Sequence, residues 1–342
     1  MTQRRPKQLL RGFASKAAGL ITALSAIGLG CNPAAPLVEP EEAERFLFAS
    51  DRTGTLELYR YGRNSATSLT DDPDYDSWWP RLSPNGRRVL FYRSDVADRP
   101  AQGNGQGNYE YAALWSMNSD GTGARELIPV GAYGWTHQGV ADWSPDGSRL
   151  VMAAIDPGEG RGRWHLYVTD AEGDNPTRVS RRDGLYLDPS WSPDGERIVY
   201  VAYPEGFDGF DLSQLEVFTM RADGTDERRL TDDDLRDHDP YWSPDGTEIA
   251  FETAVDPGFL LVGKWALRSV RPDGSSLRTI LDDGNINTLP RWSHDGTSVL
   301  FHRLEFFTDI KFAIARIDRD GRGLVRLTPG GKEYDDVDAS PY

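Results

Sequence analysis

The chain has 342 residues, a formal net charge of −16 and a hydrophobic fraction of 38%. The acidic excess argues against nucleic acid as a partner, because phosphate binding relies on Lys and Arg. It also argues against an anionic membrane surface as a partner of the folded body. The single cysteine, Cys31, excludes both a disulfide framework and a cysteine-based metal cluster.

The first thirty residues have the pattern of a secretory signal. Residues 1–16 carry Arg and Lys but no acid, and an apolar run over 17–29 follows that is too short to span a bilayer comfortably. Gly30 precedes Cys31, and a linker rich in Pro, Ala and Glu follows. This resembles a bacterial lipoprotein signal, in which the cysteine becomes the acylated first residue. The alternative is an ordinary signal peptide with an incidental cysteine.

We therefore expect a signal peptide over 1–30, an acylated Cys31 with a linker over 31–43, and a folded body over 44–342. Asn32 after the cysteine resembles the pattern of outer-membrane lipoproteins. The protein is expected to be exported, to contact the outer membrane only through its lipid, and to face the periplasm or the cell surface.

After the linker, short apolar segments separated by turn residues predict three strands. The first covers Phe46–Ser50, the second Leu56–Tyr61 and the third Ala66–Thr70, and the acidic loop 71–74 follows them.

The five-residue phrase Trp-Ser-Pro-Asp-Gly, with Leu82 and Asn85 as variants in the first copy and His294 in the fifth, then recurs five times. Its period near 50 residues is typical of solenoids, propellers and repeat arrays. Its Ser-Pro-Asp-Gly part supplies turn chemistry. A truncated copy, Ala339-Ser340-Pro341, ends the chain. The five copies begin at Leu82, Trp143, Trp191, Trp242 and Trp292.

Each copy of the phrase lies between two predicted strands, and two further strands complete the unit. The second strands are Arg88–Tyr92, Arg149–Ala153, Arg197–Val201, Glu248–Glu252 and Ser298–His302. The third strands are Leu114–Asn118, Leu166–Asp170, Val217–Arg221, Ala266–Val270 and Ala313–Ile317. A tight Asp-Gly or Glu-Gly turn comes next, and the fourth strand often closes in Leu-Thr.

Four antiparallel strands in each repeated unit predict an all-β fold, a six-bladed β-propeller. Units beginning near Trp79, Gly139, Asp188, Asp239 and Leu289 give five blades. The three N-terminal strands and a last strand near 336–340 give a sixth, which closes the ring and leaves no free edge. We expect a monomer in which the Trp of each phrase packs between adjacent blades.

The phrase, the apolar strand after it, and the turns at Ser50-Asp51-Arg52 and Asp223-Gly224-Thr225 resemble the TolB-type propeller repeat. The resemblance covers about residues 44–342. TolB itself also has an N-terminal α/β domain, and because only a short linker separates Cys31 from the first strand, we expect that domain to be absent here.

The loops on the face opposite the phrase turns surround the channel mouth and are rich in Asp, aromatic residues and His. Aromatic rings beside carboxylates suit a peptide, a sugar or a cationic side chain. The alternatives are packing of the tryptophans between blades, turn formation by the acids, and solvated loops for the histidines. The predicted ligand-binding residues are Asp74, Asp76, Trp78, Trp79, Trp135, His137, Gln138, Tyr186, Arg236, His238, Tyr334 and Asp336.

Carboxylates that converge in a narrow channel repel one another, which raises some of their pKa values or attracts a hard cation such as Ca²⁺. The acids do not have the spacing of a calcium-binding loop. Ca²⁺ is therefore the one cofactor that the pattern admits, and no other cofactor is predicted.

The sequence contains no Gly-x-Ser-x-Gly elbow, no His-Glu-x-x-His pair and no phosphate-binding loop. We therefore expect a non-catalytic envelope scaffold that binds a protein or peptide partner, with an envelope carbohydrate as the second choice. The alternative is a metal-dependent polysaccharide lyase or hydrolase. Propeller lyases related to this repeat hold a metal through His and Gln, and His137, Gln138 and His238 could imitate part of that arrangement.

Overall fold

A computed structural model of the protein describes residues 45–62, 65–99, 108–160, 163–207, 209, 211–256, 263–305, 312–329 and 336–341. Within these ranges the regular structure is β-strand apart from three single turns of 3-10 helix, at 96–98, 132–134 and 212–214. The predicted signal peptide, Cys31 with its linker, and Tyr334 lie outside the described residues.

Three antiparallel strands open the described chain: β1 (Phe46–Ser50), β2 (Glu57–Gly62) and β3 (Ser65–Ser68). All five residues of β1 are buried, because this strand is covered on both sides by neighbouring blades. The predicted strands are present with small differences in their bounds.

The five repeat units each form four antiparallel strands, which we number blades 1 to 5. Blade 1 contains β4 (Tyr75–Leu82), β5 (Arg88–Asp95), β6 (Ala113–Asn118) and β7 (Arg125–Ile128). Blade 2 contains β8 (His137–Trp143), β9 (Arg149–Ile155), β10 (His165–Asp170) and β11 (Thr177–Arg178). Blade 3 contains β12 (Tyr186–Trp191), β13 (Arg197–Ala202), β14 (Glu216–Arg221) and β15 (Arg228–Arg229). Blade 4 contains β16 (Arg236–Trp242), β17 (Ile249–Ala254), β18 (Trp265–Val270) and β19 (Arg278–Leu281). Blade 5 contains β20 (Ile286–Trp292), β21 (Ser298–Leu304), β22 (Ala313–Asp318) and β23 (Val325–Arg326).

The last strand, β24 (Asp336–Pro341), pairs antiparallel with β1 and completes a sixth blade in the order β24-β1-β2-β3. The innermost strands β4, β8, β12, β16, β20 and β24 contact one another in succession, and β24 contacts β4. The ring is therefore closed. The predicted all-β propeller of four-stranded blades, closed by its N-terminal strands on its C-terminal strand, is confirmed.

The same two hydrogen bonds stabilise the phrase turn in each of blades 1 to 5. In blade 2 the Ser144 hydroxyl donates to Asp146 Oδ1 at 2.6 Å and accepts the Arg149 N–H at 2.9 Å. The copies that contain Ser83, Ser192, Ser243 and Ser293 repeat both contacts, with Asn85 in place of Asp in the first. The phrase is therefore a structural turn.

The tryptophan of the phrase packs between adjacent blades, as predicted. Trp191 of blade 3 is 5% exposed and belongs to the same apolar cluster as Val151 of blade 2. The Arg149 guanidinium of blade 2 lies 4.5 Å from the Trp191 ring centroid. Trp143, Trp242 and Trp292 are equally buried. These rings supply much of the apolar area that joins the blades.

Beyond the outermost strands, a hydroxyl side chain bonds the backbone of the third strand. In blade 3 the Val217 N–H donates to the Thr231 hydroxyl at 2.9 Å, directly beyond β15. Thr70, Ser180 and Thr328 accept the corresponding N–H in three other blades. In the Leu-Thr ending the Leu230 N–H still donates to the Val217 carbonyl at 2.8 Å, and the Thr231 side chain then caps the third strand.

Candidate functional site

Each inner strand of blades 1 to 5 carries one more residue than its partner opposite, a β-bulge. At every bulge a non-glycine residue has left-handed backbone, with φ between 49° and 58°. Such conformations carry strain and persist only where the surroundings fix them. A bulge re-aims the side chains that follow it. The five left-handed residues are Trp79, Val140, Asp188, Asp239 and Leu289.

The re-aimed side chains of blades 1 to 5 meet at a level that we call the waist. The waist residues stand directly before the first residue of each phrase: Arg81, Asp142, Ser190, Tyr241 and Arg291. All five line one cavity on the propeller axis, with a volume of about 10 Å³. This is room for about one water molecule.

Two of the waist residues are buried arginines. Arg81 and Arg291 are 3% and 4% exposed. Each guanidinium donates to the carbonyl of the proline before it, at 2.8 Å. Their guanidinium carbons lie 4.0 and 5.3 Å from the Trp79 ring centroid, one on blade 1 and one on blade 5. Buried cations of this kind need compensating negative charge nearby.

The compensating acids come largely from blades 3 and 4. His238 Nδ1 lies 2.8 Å from Asp188 Oδ2, and the Asp239 backbone N–H donates to the same oxygen at 3.4 Å. Asp239 Oδ1 lies 3.8 Å from a guanidinium nitrogen of Arg291. Burial raises the pKa of Asp239, and the charges of Asp188 and Glu252 raise it further. The waist therefore holds closely spaced carboxylates that disfavour full ionisation.

Glu252 on β17 is a member of this cluster that the sequence analysis did not select. It is 6% exposed, pairs across the sheet with His238, and accepts the backbone N–H of Leu289 at the bulge of blade 5. Burial raises the pKa of Glu252 to about 8, against the lowering effect of the Leu289 N–H. Glu252 thus ties blade 4 to blade 5 at the level of the waist.

On the mouth side of the waist an aromatic wall faces a cation and an imidazole. The Arg236 guanidinium lies 5.4 Å and the His238 ring 6.4 Å from the Trp265 ring centroid. Burial lowers the pKa of Arg236, while nearby acids, Glu252 first, raise it. The arrangement combines a flat apolar surface with charged groups, which suits a peptide segment.

Three acids of the mouth loops, in contrast, are paired with arginines of the neighbouring strands. Those three side chains are therefore held away from a ligand or a cation. The ion pairs are Asp72–Arg93 at 3.0 Å, Asp233–Arg268 at 2.9 Å and Asp283–Arg303 at 2.7 Å.

Of the predicted site residues, the structure brings Trp79, Arg236 and His238 together at or just above the waist. Trp78 and Trp135 lie elsewhere, each within an aromatic group and 4–5% exposed. Trp78 packs on Tyr92 and Tyr109, and Trp135 packs between Tyr133 and Tyr167. Packing, the alternative considered from the sequence, describes these two tryptophans.

Gln138 and Asp76 are also buried in structural contacts. The Gln138 side-chain amide nitrogen lies 3.0–3.1 Å from the carbonyl oxygens of Ala112, Ile128 and Pro129, all of blade 1 or its exit loop. Asp76 is fully buried and accepts the backbone N–H of Leu56, an N-terminal residue, at 2.8 Å. Both side chains fasten neighbouring blades.

The remaining predicted residues are scattered. Asp74 is exposed in the loop before β4. His137 contacts the Thr136 hydroxyl and lies edge-on to Trp164. Tyr186 is buried beside Tyr200 in blade 3. The backbone of Asp336 pairs with Ser50, and its side chain and Tyr334 lie outside what the structure describes.

The residues that the sequence analysis missed share a recognisable position. Arg81, Asp142 and Arg291 stand directly before the phrase, at a position that differs between most of the repeats. In four blades the residue two places further upstream is a left-handed residue followed by proline, as in Asp239-Pro240. A comparison of the residue directly before the phrase in each repeat would have identified the waist residues.

Two groups of described residues bring three possible metal ligands within 4.8 Å of one another. At the waist they are Asp188, His238 and Asp239; at the edge of blade 2 they are Asp156, Glu159 and His165. In both groups an arginine already lies beside one carboxylate: Arg291 at 3.8 Å from Asp239 and Arg178 at 3.5 Å from Asp156. Either group is consistent with an ion-pair network, and Ca²⁺ stays a prediction.

Across the described residues we find no helix with the length and apolar character that a membrane crossing requires.

No protein-family model matches the chain. Over 116 residues the chain is 29% identical to the uncharacterized protein Atu1656 from Agrobacterium fabrum, covering 33% of this chain and 36% of that protein. The chain thus spans only about a third of the length of this relative.

Solved structures cover far more of the chain. The putative TolB from Agrobacterium tumefaciens matches 84% of this chain and 90% of its own, with a TM-score of 0.58 and 20% identity. TolB from Acinetobacter baumannii matches 87% and 68%, with a TM-score of 0.63 and 15% identity. Oligogalacturonate lyase from Vibrio parahaemolyticus matches 86% and 76%, with a TM-score of 0.55 and 13% identity. At these identities the likeness is one of fold, and the fold of this chain is a TolB-like β-propeller.

Proposed function

We propose that this chain is a non-catalytic binding propeller of the cell envelope that recognises a segment of a protein or peptide partner at its channel mouth. It acts as a monomer. The TolB-like fold supports a scaffold role, but the fold alone does not specify a partner. The proposal therefore depends on the chemistry just above the waist.

The observation that carries the proposal is a set of buried polar atoms on one strand. Arg236 Nε, His238 Nε2 and Asp239 Oδ1, all on β16, have no hydrogen-bond partner among the described residues. Buried polar groups are normally paired, with protein or with ordered water. Peptide groups offer both donors and acceptors, and Trp265 gives their apolar parts a surface. A partner segment would replace water at this position.

The test is capture of the partner from a detergent extract of envelope membranes. We expect His238→Ala and Asp239→Asn baits to retain at least about tenfold less of a protein that the wild-type bait captures, as loss of a central contact does. His294→Ala is the matched control, because His294 is exposed in a phrase turn on the opposite face. Circular dichroism melts check that each bait is folded. Equal capture by the wild type and both mouth variants would refute the proposal.

The alternative function, a metal-dependent polysaccharide lyase or hydrolase, is favoured by the three possible ligands at the waist. A metal bound only by the folded protein stabilises it by mass action. The alternative therefore predicts that EDTA lowers the melting temperature and that Mn²⁺ or Ca²⁺ restores it together with cleavage of acidic polysaccharides. We expect neither, because Arg236 and Arg291 already balance the waist acids.

We further propose that Cys31 is acylated and holds the propeller at the outer membrane. The support is the signal-like sequence around it. A Cys31→Ser variant is expected to move from the membrane pellet to the soluble fraction after cell lysis. If that variant remains in the pellet, the lipid anchor is not what holds the protein there.

A further inference from the structure

A second cavity lies beside blade 3, away from the propeller axis. It has a volume of about 260 Å³ and is formed by two segments, 182–186 before β12 and 203–207 after β13. It shares no lining residue with the cavity at the waist. We call it the side pocket. Pockets that enclose drug-sized ligands measure roughly 300–1,000 Å³, so the side pocket has room for about one ring.

The walls of the side pocket are aromatic. Tyr203 and Phe207 lie with ring centroids 4.7 Å apart in one segment, and Tyr186 belongs to the other. Tyr186 rests on Tyr200 at 5.5 Å, and Tyr200 in turn stacks on Phe218 at 5.9 Å. The position of Tyr186 is therefore fixed from behind by a buried aromatic column.

The hydroxyl groups of Tyr186 and Tyr203 donate to no acceptor among the described residues, although the backbone N–H groups of Arg182 and Asp211 are close enough to lower their pKa values. Tyr186 is 1% exposed and Tyr203 is 7% exposed, so neither is freely solvated. Burial raises the pKa of Tyr186 to about 12 and also raises that of Tyr203. Both hydroxyls therefore remain protonated at neutral pH and can donate as well as accept.

The rim of the side pocket is charged. The Arg182 guanidinium carbon lies 5.8 Å from the Tyr186 ring centroid, and Arg182 is held by an ion pair with Glu227. Glu227 also accepts the Tyr200 hydroxyl at 2.8 Å. Glu205 is exposed on the opposite segment. A ligand in the pocket would thus meet a fixed cation on one side and a carboxylate on the other.

We propose that the side pocket binds one pyranose ring of a carbohydrate. A sugar ring presents an apolar face to aromatic walls and a girdle of hydroxyls that both donate and accept. Those hydroxyls match Tyr186, Tyr203, Arg182 and Glu205. An aromatic side chain of a partner protein would fill the same volume but would leave both tyrosine O–H groups without an acceptor, which is unfavourable.

The test is saturation-transfer NMR on the purified protein with glucose, galactose, N-acetylglucosamine and galacturonate, each titrated singly. We expect at least one of these sugars to bind with a Kd on the order of 1 mM. The double variant Tyr186→Phe/Tyr203→Phe keeps both rings and is expected to weaken binding about tenfold or more. Tyr92→Phe is the control, since Tyr92 is another buried tyrosine whose O–H group has no acceptor among the described residues, and it lies in blade 1 rather than at the pocket.

Two outcomes would overturn the proposal. The first is no signal from any of the four sugars, or undiminished binding by the double variant. The second is binding of N-acetyltryptophanamide with none of the sugars, which would assign the pocket to an aromatic side chain of a partner. Because the mouth variants His238→Ala and Asp239→Asn leave the side pocket intact, this result is independent of the partner-capture experiment.

Discussion

Neighbouring positions at the end of each inner strand obey different rules. At the phrase turn, blades 1 to 5 repeat the same serine contacts. At the waist, directly before the phrase, four different residue types occur in the five blades: Arg81, Asp142, Ser190, Tyr241 and Arg291. The repeated phrase residues build the ring. The waist residues differ between blades on a fixed backbone, and residues of this kind can specify a ligand.

The same contrast holds for the acids. The Ser144 hydroxyl and the Ser148 N–H lower the pKa of Asp146 in a phrase turn to about 2. Burial raises the pKa of Glu252 at the waist to about 8. The turn stabilises a charge that solvent already tolerates, whereas the waist holds acids in surroundings that oppose their ionisation. Perturbed carboxylates of the second kind are typical of functional sites.

The largest expected effect is on the repeated part. Trp191→Ala removes a ring packed between blades 2 and 3, and we expect it to lower the free energy of unfolding by about 3–5 kcal/mol. Trp265→Ala, at the half-buried wall above the waist, is expected to cost less than half of that. Urea denaturation followed by circular dichroism measures both. If the two substitutions cost the same, the division between scaffold and site is wrong.

Much of the fold follows from the sequence because each blade repeats the same local chemistry. The phrase, the Asp-Gly turns and the alternating strands predict blade boundaries, and the incomplete blade predicts how the ring closes. The site follows less well, because its members come from different blades. Glu252 is a single acid in a largely apolar strand, so its sequence position does not indicate a site. The fold places it opposite His238 and beside Leu289. Composition alone also did not indicate which mouth acids form ion pairs, because the arginines that pair with Asp72, Asp233 and Asp283 lie on other strands.

The next expected effect concerns contacts between blades. Gly224, in the Asp-Gly turn of blade 3, has φ +79°, and a Cβ there would stand 2.1 Å from the carbonyl oxygen of Val179 in blade 2. Gly224→Ala should therefore lower the free energy of unfolding by roughly 2–4 kcal/mol through strain and steric clash together. Gly86→Ala is the control, because Gly86 has φ +69° but no atom within 4 Å of the position that a Cβ would take. Its expected cost is about 1 kcal/mol, from the backbone alone. If urea denaturation shows the same loss of unfolding free energy for Gly224→Ala and Gly86→Ala, the clash with Val179 is relieved without a free-energy cost.

The smallest expected effect is a pH dependence that belongs to the waist. Glu252 has a raised pKa in the folded protein, so between its ordinary value and about 8 the folded state binds more protons than the unfolded state. The free energy of unfolding must then fall as the pH rises through this range. For one such group the loss from pH 6 to pH 9 is on the order of 1–3 kcal/mol. The stability that is linked to the raised pKa of Glu252 is thus present at acidic pH and lost at basic pH.

Glu252→Gln keeps the shape of the side chain without its titration, and we expect it to reduce the slope between pH 6 and pH 9 in urea denaturation. The slope does not vanish, because burial also raises the pKa of Asp237 to about 8 and that of Asp239. Asp146→Asn is the matched control: its lowered pKa lies below this window, so it should shift stability by the same amount at both pH values. A slope unchanged in Glu252→Gln would mean that Glu252 is ionised in the folded protein. Arg236 and Arg291 would then compensate its charge, and the waist would carry one more negative charge than it does with Glu252 protonated.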